Sequence, residues 1–297
     1  MDRFDIGAVR VHRVEEWRGN FAPPEGLLAG CTPEAFAPYA AEFSPGYYDL
    51  AEHKLFAFLQ SWVLEAGGLR ILFDTGAGNH KQRPGIPVFG NLDTDFLGNL
   101  QRAGFAPDDI DVVVCSHLHI DHVGWNTTLR DGLWQPAFPR ARYLLPAIDE
   151  DFWNPANAAR FPQQVGRAVN AGVYEDSVAP VIAAGRAELV RPGHVVADGI
   201  VLDGAPGHTP GHVLMHVESR GEHALFVGDV LHHPVQVYHP EWNSIFCEDP
   251  AQARATRRAV LERAAALDAL LVPAHFGGQH MCRVRAIHDS FAPVFTT

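Results

Sequence analysis

The sequence predicts an α/β fold, read as one domain over residues 1–297, whose buried strands end on a shared polar rim. Three observations predict it. The apolar run Val112-Val113-Val114 reads as a buried strand and opens directly into Cys115-Ser116-His117-Leu118-His119-Ile120-Asp121-His122, so three histidines and one aspartate fall within six residues. Other apolar runs end in the same way, at His208, Asp229 and His275. Between the last two of these lies the clearest helical period in the chain, which returns the backbone to another strand.

In chain order, residues 9–14 alternate apolar and polar side chains at the period of a strand. Residues 19–50 are rich in Gly, Pro and aromatic side chains without a clear period, and are expected to form a long ordered loop or arm, either lining a pocket or a dimer contact or lying as a plain surface loop. Residues 55–65 and 69–73 flank Gly67-Gly68, a hairpin signal. The second of these strands ends in Asp74-Thr75-Gly76, a turn that exposes a carboxylate. Asp93 or Thr94 is expected to cap a helix through Ala103, closed by Gly104. A strand follows at 142–145, a helix at 161–171, and strands at 187–190, 200–202, 213–218 and 224–227. Asp249-Pro250 carries the cap and first-turn residues of a helix to Leu267, with Ala253, Val260, Leu261, Ala264 and Leu267 on one face.

Composition removes several function classes. A net charge of -12 argues against a nucleic-acid partner, because phosphate binding needs a basic face. It argues equally against an anionic membrane surface. Cys31, Cys115, Cys247 and Cys282 lack C-x-x-C spacing, which excludes a zinc ribbon or dithiol redox motif and fits a reducing compartment. The N-terminus has no signal-peptide pattern, and no apolar stretch approaches the ~20 residues that span a bilayer. A cytoplasmic protein with a small-molecule substrate is expected. Seventeen histidines without a consecutive run leave position to sort ligands from packing residues.

A strand that releases several imidazoles and a carboxylate into one loop can aim them at metal ions, and neutral imidazole with carboxylate suits zinc, with Mn, Fe or Co as other occupants. His117-x-His119-x-Asp121-His122, Gly207-His208-Thr209-Pro210-Gly211-His212, Gly228-Asp229 and Ala274-His275 resemble, in the same order, the motifs of the metallo-β-lactamase superfamily. The resemblance runs from the hairpin near residue 55 to His275. It implies an αββα sandwich, two mixed β-sheets flanked by helices, with a dinuclear site at one edge. Two zinc ions per chain are implied, with His117, His119 and His208 on the first, Asp121, His122 and His275 on the second, and Asp229 bridging both. Asp74 resembles the family's supporting aspartate, which holds one ligand imidazole. In such a site two metals bring a bridging water from a pKa of 15.7 toward about 7 and polarise the scissile group, and Asp121 or Asp229 takes the proton.

Departures narrow the resemblance. Asp229 stands where the main zinc β-lactamases have cysteine, and those enzymes lack an equivalent of His122. Only 22 residues follow His275, too few for the helical domain of glyoxalase II-like thioesterases. The acidic charge disfavours the tRNA-processing nucleases, and flavodiiron proteins have glutamate at the His119 position. What remains is similar to the branch of N-acyl homoserine lactonases and methyl parathion hydrolase, for which a homodimer is expected. The expected reaction is opening of a lactone or a related ester-like bond. The alternatives are a phosphotriesterase or arylesterase, and a metal-binding or iron redox protein without hydrolysis. His232 stands where the lactonases carry a tyrosine, and can itself donate a hydrogen bond to a developing oxyanion. Trp125, Trp153, Trp242 and Phe246, with Trp134 and Phe152, are the aromatic candidates for the pocket wall. His212 is expected to support its loop, while His233, His239 and His280 carry no assignment.

Overall fold

Alternation along three adjacent strands decides the layering. Leu72, Val113 and Leu145 face one side, whereas Ile71, Phe73, Val112, Val114 and Leu144 face the other. The structure is a computed structural model and describes residues 2–162 and 164–295. The first sheet runs in the order Arg3–Ile6, Val9–Ala22, Lys54–Ala66, Leu69–Phe73, Val112–Val114, Arg142–Pro146 and Ala187–Val190, with Tyr48–Asp49 added beside Lys54–Ala66. Its last four strands are parallel, so their C-terminal ends share one edge. The second sheet runs His194–Ala197, Ile200–Gly204, Val213–Ser219, Glu222–Gly228 and Leu270–Pro273, the last pair parallel.

The two sheets face one another through Trp62, Phe73, Val114 and Leu144 against Val213, Met215, Phe226 and Val272. Outside the first sheet, Leu72 and Val113 pack with Phe96 and Leu100 of the helix Phe96–Arg102. Outside the second, Leu225, Val227 and Leu271 lie in one cluster with Val260, Leu261 and Ala264 of the helix Pro250–Ala266. The layers are therefore helix, sheet, sheet, helix, the αββα sandwich that the motifs imply. Each such side chain contributes about 1.5–3 kcal/mol on burial, so three apolar interfaces fix the frame.

Several elements form as expected, and the differences have local causes. Gly67 and Gly68 both take positive φ, +58° and +81°, as the two-residue turn between Lys54–Ala66 and Leu69–Phe73 requires. Asp249 caps the long helix by accepting from the N–H groups of Ala251 and Gln252. Leu267 is not on its buried face: the helix stops at Ala266, and Leu267 is 36% exposed at the cap. The first long strand extends to Ala22 instead of ending near 14. Register shifts at Glu15/Trp17 and Asn20/Ala22 break its period, which hid it in the sequence. The rest of the arm is ordered in short turns, and buries Phe36, Phe43, Tyr47 and Tyr48 in the second sheet's outer core.

Neither Asp93 nor Thr94 caps the helix at 96. Thr94 donates its N–H and its hydroxyl to Asn79 Oδ1 instead, and Asp95 takes the cap position without a side-chain bond. The helix expected at 161–171 does not form, Gln163 lying outside the described residues. Val165 and Gly166 give their N–H groups to the Glu248 carboxylate at 2.8 and 2.6 Å, leaving only a short turn at Val165–Arg167. Among the described residues, no helix is long and apolar enough to cross a membrane.

Candidate metal centre

Strand ends on one edge supply the polar cluster. Leu69–Phe73 releases Asp74, Val112–Val114 releases the 115–122 loop, Glu222–Gly228 releases Asp229, and Leu270–Pro273 releases His275. Gly228 makes the turn into Asp229 with φ +50°. A Cβ there would stand 2.7 Å from His212 Nε2 and 2.8 Å from Ser116 Oγ, so no larger residue fits.

Asp229 occupies the middle of the cluster. Its Oδ1 lies 3.2 Å from His122 Nε2 and 3.0 Å from His275 Nε2. Its Oδ2 lies 3.2 Å from His208 Nε2, 3.1 Å from His232 Nε2 and 3.9 Å from His117 Nε2. Asp121 approaches the first side from 3.7 Å at His122 Nε2 and 3.6 Å at His275 Nε2. On the other side, His119 Nδ1 stands 2.9 Å from His208 Nε2. Potential ligand atoms within 4.8 Å of one another thus form a His117–His119–His208 group and an Asp121–His122–His275 group, with one carboxylate between them. A further group joins His208, Asp229 and His232.

Whether these residues suit a metal can be tested on their unmet bonds. The Nε2 atoms of His117, His119 and His122, both ring nitrogens of His232, and Asp229 Oδ1 are buried without a hydrogen-bond partner. Buried polar atoms are rarely left so, and lone pairs gathered as those of His117 and His122 Nε2 and Asp229 Oδ1 are here are what dications satisfy. The opposite edges of the rings are held. His122 Nδ1 meets Asp74 Oδ2 at 2.9 Å, His275 Nδ1 meets the Phe58 carbonyl at 3.0 Å, and His117 Nδ1 meets Ser116 Oγ at 3.0 Å. Each contact places the proton on Nδ1 and turns the Nε2 lone pair inward. Asp74 itself sits at φ +56°, a conformation costly for a non-glycine residue, and is held there by Ser116 N–H at 2.7 Å and Ser116 Oγ at 2.9 Å.

Electrostatics divide the cluster. Burial holds the His117 and His119 imidazoles well below their ordinary range, hence neutral and ready to ligate. Burial opposes charge on His208 too, but Asp229 overrides it and pushes His208 up to about 9. Asp229 stays well below the carboxylate range: burial resists its charge, and His122, His275, His232 and His208 outweigh that resistance. Burial pulls His232 down to about 4.

Two supporting residues escaped the sequence reading. Buried Asp149 accepts from Leu118 N–H, Thr209 Oγ1 and Gly211 N–H, tying the His117–His122 loop to the His208 loop. Buried Glu16 accepts from Ala77 N–H, Gly78 N–H and Trp125 Nε1, fixing the loop after Asp74. An acidic residue in a short helix and another inside a strand give no sequence signal of that task.

A cleft opens over the cluster, lined by His119, Asp121, His208, Asp229, His232 and His275 and by Phe21, Leu27, Phe56, Ile86, Phe89, Ile120, Val169 and Phe246. Of the expected aromatics, Phe246 lines it. Trp125 does not, because it stacks on Phe96 and bonds Glu16. Trp153 lies against the edge of His119, Trp242 stacks on His239, and Trp134 sits under the Lys81 ammonium at 3.8 Å. Phe152 packs on Trp153 and Phe161. Phe21, Leu27 and Phe89 were missed because they reach the cleft from the arm and from a loop without periodic pattern, and Phe56 because it lies in a strand far in sequence from the ligand motifs. His212 Nε2 accepts the Asp229 N–H at 3.1 Å, which makes it a support of that turn. His233 Nδ1 accepts from Val235 N–H among Phe36, Phe43 and Tyr47, and His280 Nδ1 meets the Phe276 carbonyl.

A sequence profile of the metallo-beta-lactamase superfamily matches residues 58–275. No curated protein sequence matches the chain. Among solved structures, a hydrolase named AbOPH in the beta-lactamase superfamily is 24% identical with a TM-score of 0.83, covering 99% of this chain and 97% of that one. The dizinc quorum-quenching lactonase AidC, solved with the product N-hexnoyl-L-homoserine, is 21% identical with a TM-score of 0.81 over 99% and 97%. A probable metal-dependent hydrolase from Staphylococcus aureus is 15% identical with a TM-score of 0.77 over 99% of each chain. These likenesses share the fold. With more than half of its length matched by the family profile, the chain belongs to the metallo-beta-lactamase superfamily.

Proposed function

We propose that this chain is a dinuclear-zinc hydrolase that opens a lactone or cleaves a related neutral ester bond. The observation that carries the reading is Asp229, which turns one carboxylate oxygen toward each of two ligand groups at the floor of an apolar cleft. His117, His119 and His208 would hold one ion with Asp229 Oδ2, and Asp121, His122 and His275 the other with Oδ1. When bound, the ions would supply Lewis acidity and make a water acidic enough to react near neutral pH.

The chain's own groups do the rest. Asp121 and Asp229 are placed to receive a proton at the cleft floor. His232, buried with its Nε2 3.1 Å from Asp229 Oδ2, could donate a hydrogen bond to an oxygen that gains charge. Among the described residues no Lys or Arg lines the cleft, which favours a neutral substrate over a phosphate monoester or a nucleic acid. Four phenylalanines there also suit an aryl ester or aryl phosphotriester, the second reading.

Initial rates on zinc-loaded protein test this across homoserine lactones of short and long acyl chain, a simple lactone, an aryl ester, a phosphotriester and a β-lactam. Lactones leading by orders of magnitude in kcat/KM support the first reading, and turnover of aryl ester or phosphotriester alone moves the protein to the second. Metal analysis should give two zinc ions per chain. Iron with no turnover would overturn both readings.

A further inference from the structure

Three ligand imidazoles have oxygen acceptors behind them, and His208 does not. Its Nδ1 stands 3.7 Å from Cys247 Sγ, within reach of a hydrogen bond to sulfur. Cys247 is a free thiol and only 2% exposed. The contact is built. Glu248 N–H donates to the His208 carbonyl at 2.9 Å and Asp249 N–H to the Gly207 carbonyl at 2.9 Å, which straps the segment carrying Cys247 along the segment carrying His208. Asp249 in turn caps the long helix, so the strap ends on a rigid element. Arg257, fully buried on that helix, donates to the carbonyls of Val230 and Pro240 and to Asn243 Oδ1. Burial pulls its guanidinium down to about 10.

We propose that Cys247 is the positioning residue of His208: its sulfur accepts the Nδ1–H and so commits Nε2 to the metal group of His117, His119 and Asp229. This rests on the metal reading above. A thiol is a weaker acceptor than the carboxylate, carbonyl or hydroxyl behind His122, His275 and His117, so His208 is less firmly oriented than those three. Partners of this kind are worth about ten- to a hundredfold in metal affinity, and a sulfur should fall at the low end.

Zinc affinities measured by chelator competition test the proposal on wild type, Cys247→Ala, Cys247→Ser, His208→Ala and the double variant Cys247→Ala/His208→Ala, with apo-protein melting recorded for each. In Cys247→Ala one ion should bind about tenfold more weakly and the other as in wild type, beyond the modest drop in apo melting that loss of a buried sulfur causes. Cys247→Ser, whose shorter C–O bond draws the acceptor back, should lose a smaller factor, and decides the matter if the alanine variant fails to fold. In the His208→Ala background, Cys247→Ala should cost nothing further, because no ring is left to orient. Affinities for both ions equal to wild type, or an added loss in that background, overturn the proposal. A wild type that holds no zinc overturns the metal reading as well, which keeps the two failures apart.

Discussion

The floor of the cleft and its walls are built on opposite principles. On the floor, His122 and His275 each have one ring edge fixed by Asp74 or by the Phe58 carbonyl and the other aimed at Asp229. The walls come from four separate places: Phe21 and Leu27 in the arm, Phe56 in a strand, Ile86 and Phe89 in one loop, and Phe246 in another. They touch by apolar packing, which has no preferred direction. Directional bonding on the floor leaves one arrangement for the chemistry, whereas the walls are free to change shape with substrate. Damage to the floor should therefore abolish turnover, and damage to the walls should only redistribute it among substrates.

Removal of the shared carboxylate breaks the floor most severely. Asp229→Ala should leave fewer than one metal ion per chain by elemental analysis and lower kcat/KM on the order of a thousandfold, since both ligand groups lose their common oxygen. Two ions retained with near-normal turnover would overturn the bridging assignment. One bond farther out, Asp74→Asn keeps a residue tolerant of positive φ but withdraws the charge that orients His122. About ten- to a hundredfold weaker metal binding is expected, read as the chelator concentration that halves activity.

The walls should answer differently. Phe246→Ala should raise KM about tenfold for substrates with a large apolar group while kcat on a small substrate stays put, the signature of lost uniform binding. An equal fall in kcat for every substrate would mean that Phe246 supports the floor. A separate effect, on stability and not on rate, concerns Glu16, which burial pushes up to about 7 against three N–H donors. For a carboxyl raised on folding, the folded state binds the extra proton, so this contribution to stability is complete below the unfolded value near 4.5 and is lost as pH climbs through about 7. Apo-protein melting should therefore fall over that window by the equivalent of about 3 kcal/mol at most, and Glu16→Gln should flatten the slope. A slope equal to wild type in that variant would place the titration elsewhere.

The same contrast explains what could be read in the sequence. The floor residues follow short apolar strands within a few positions, so strand-end logic and motif order found His117, His119, Asp121, His122, His208, Asp229 and His275 together. Tertiary partners overrode local pattern elsewhere. Glu248 claims the N–H groups that would have made a helix at 165–166, and Asn79 claims the Thr94 cap. Register shifts erased the period of residues 15–22, and with it the strand that carries Phe21. Trp125 and Trp242 were sought at the cleft because they are large and lie near motifs, but Glu16 and His239 offered them better contacts.

All four cysteines are unpaired thiols, so no disulfide ties this chain across its length. The ligand groups join side chains from residue 117 to residue 275 and draw on both sheets. A bound ion would act there as a staple, closing a long loop of the unfolded chain and stabilising the folded state with rising metal concentration. Chelation should then lower the temperature at which both sheets melt together, so the cofactor of this edge would also be the clasp of the sandwich.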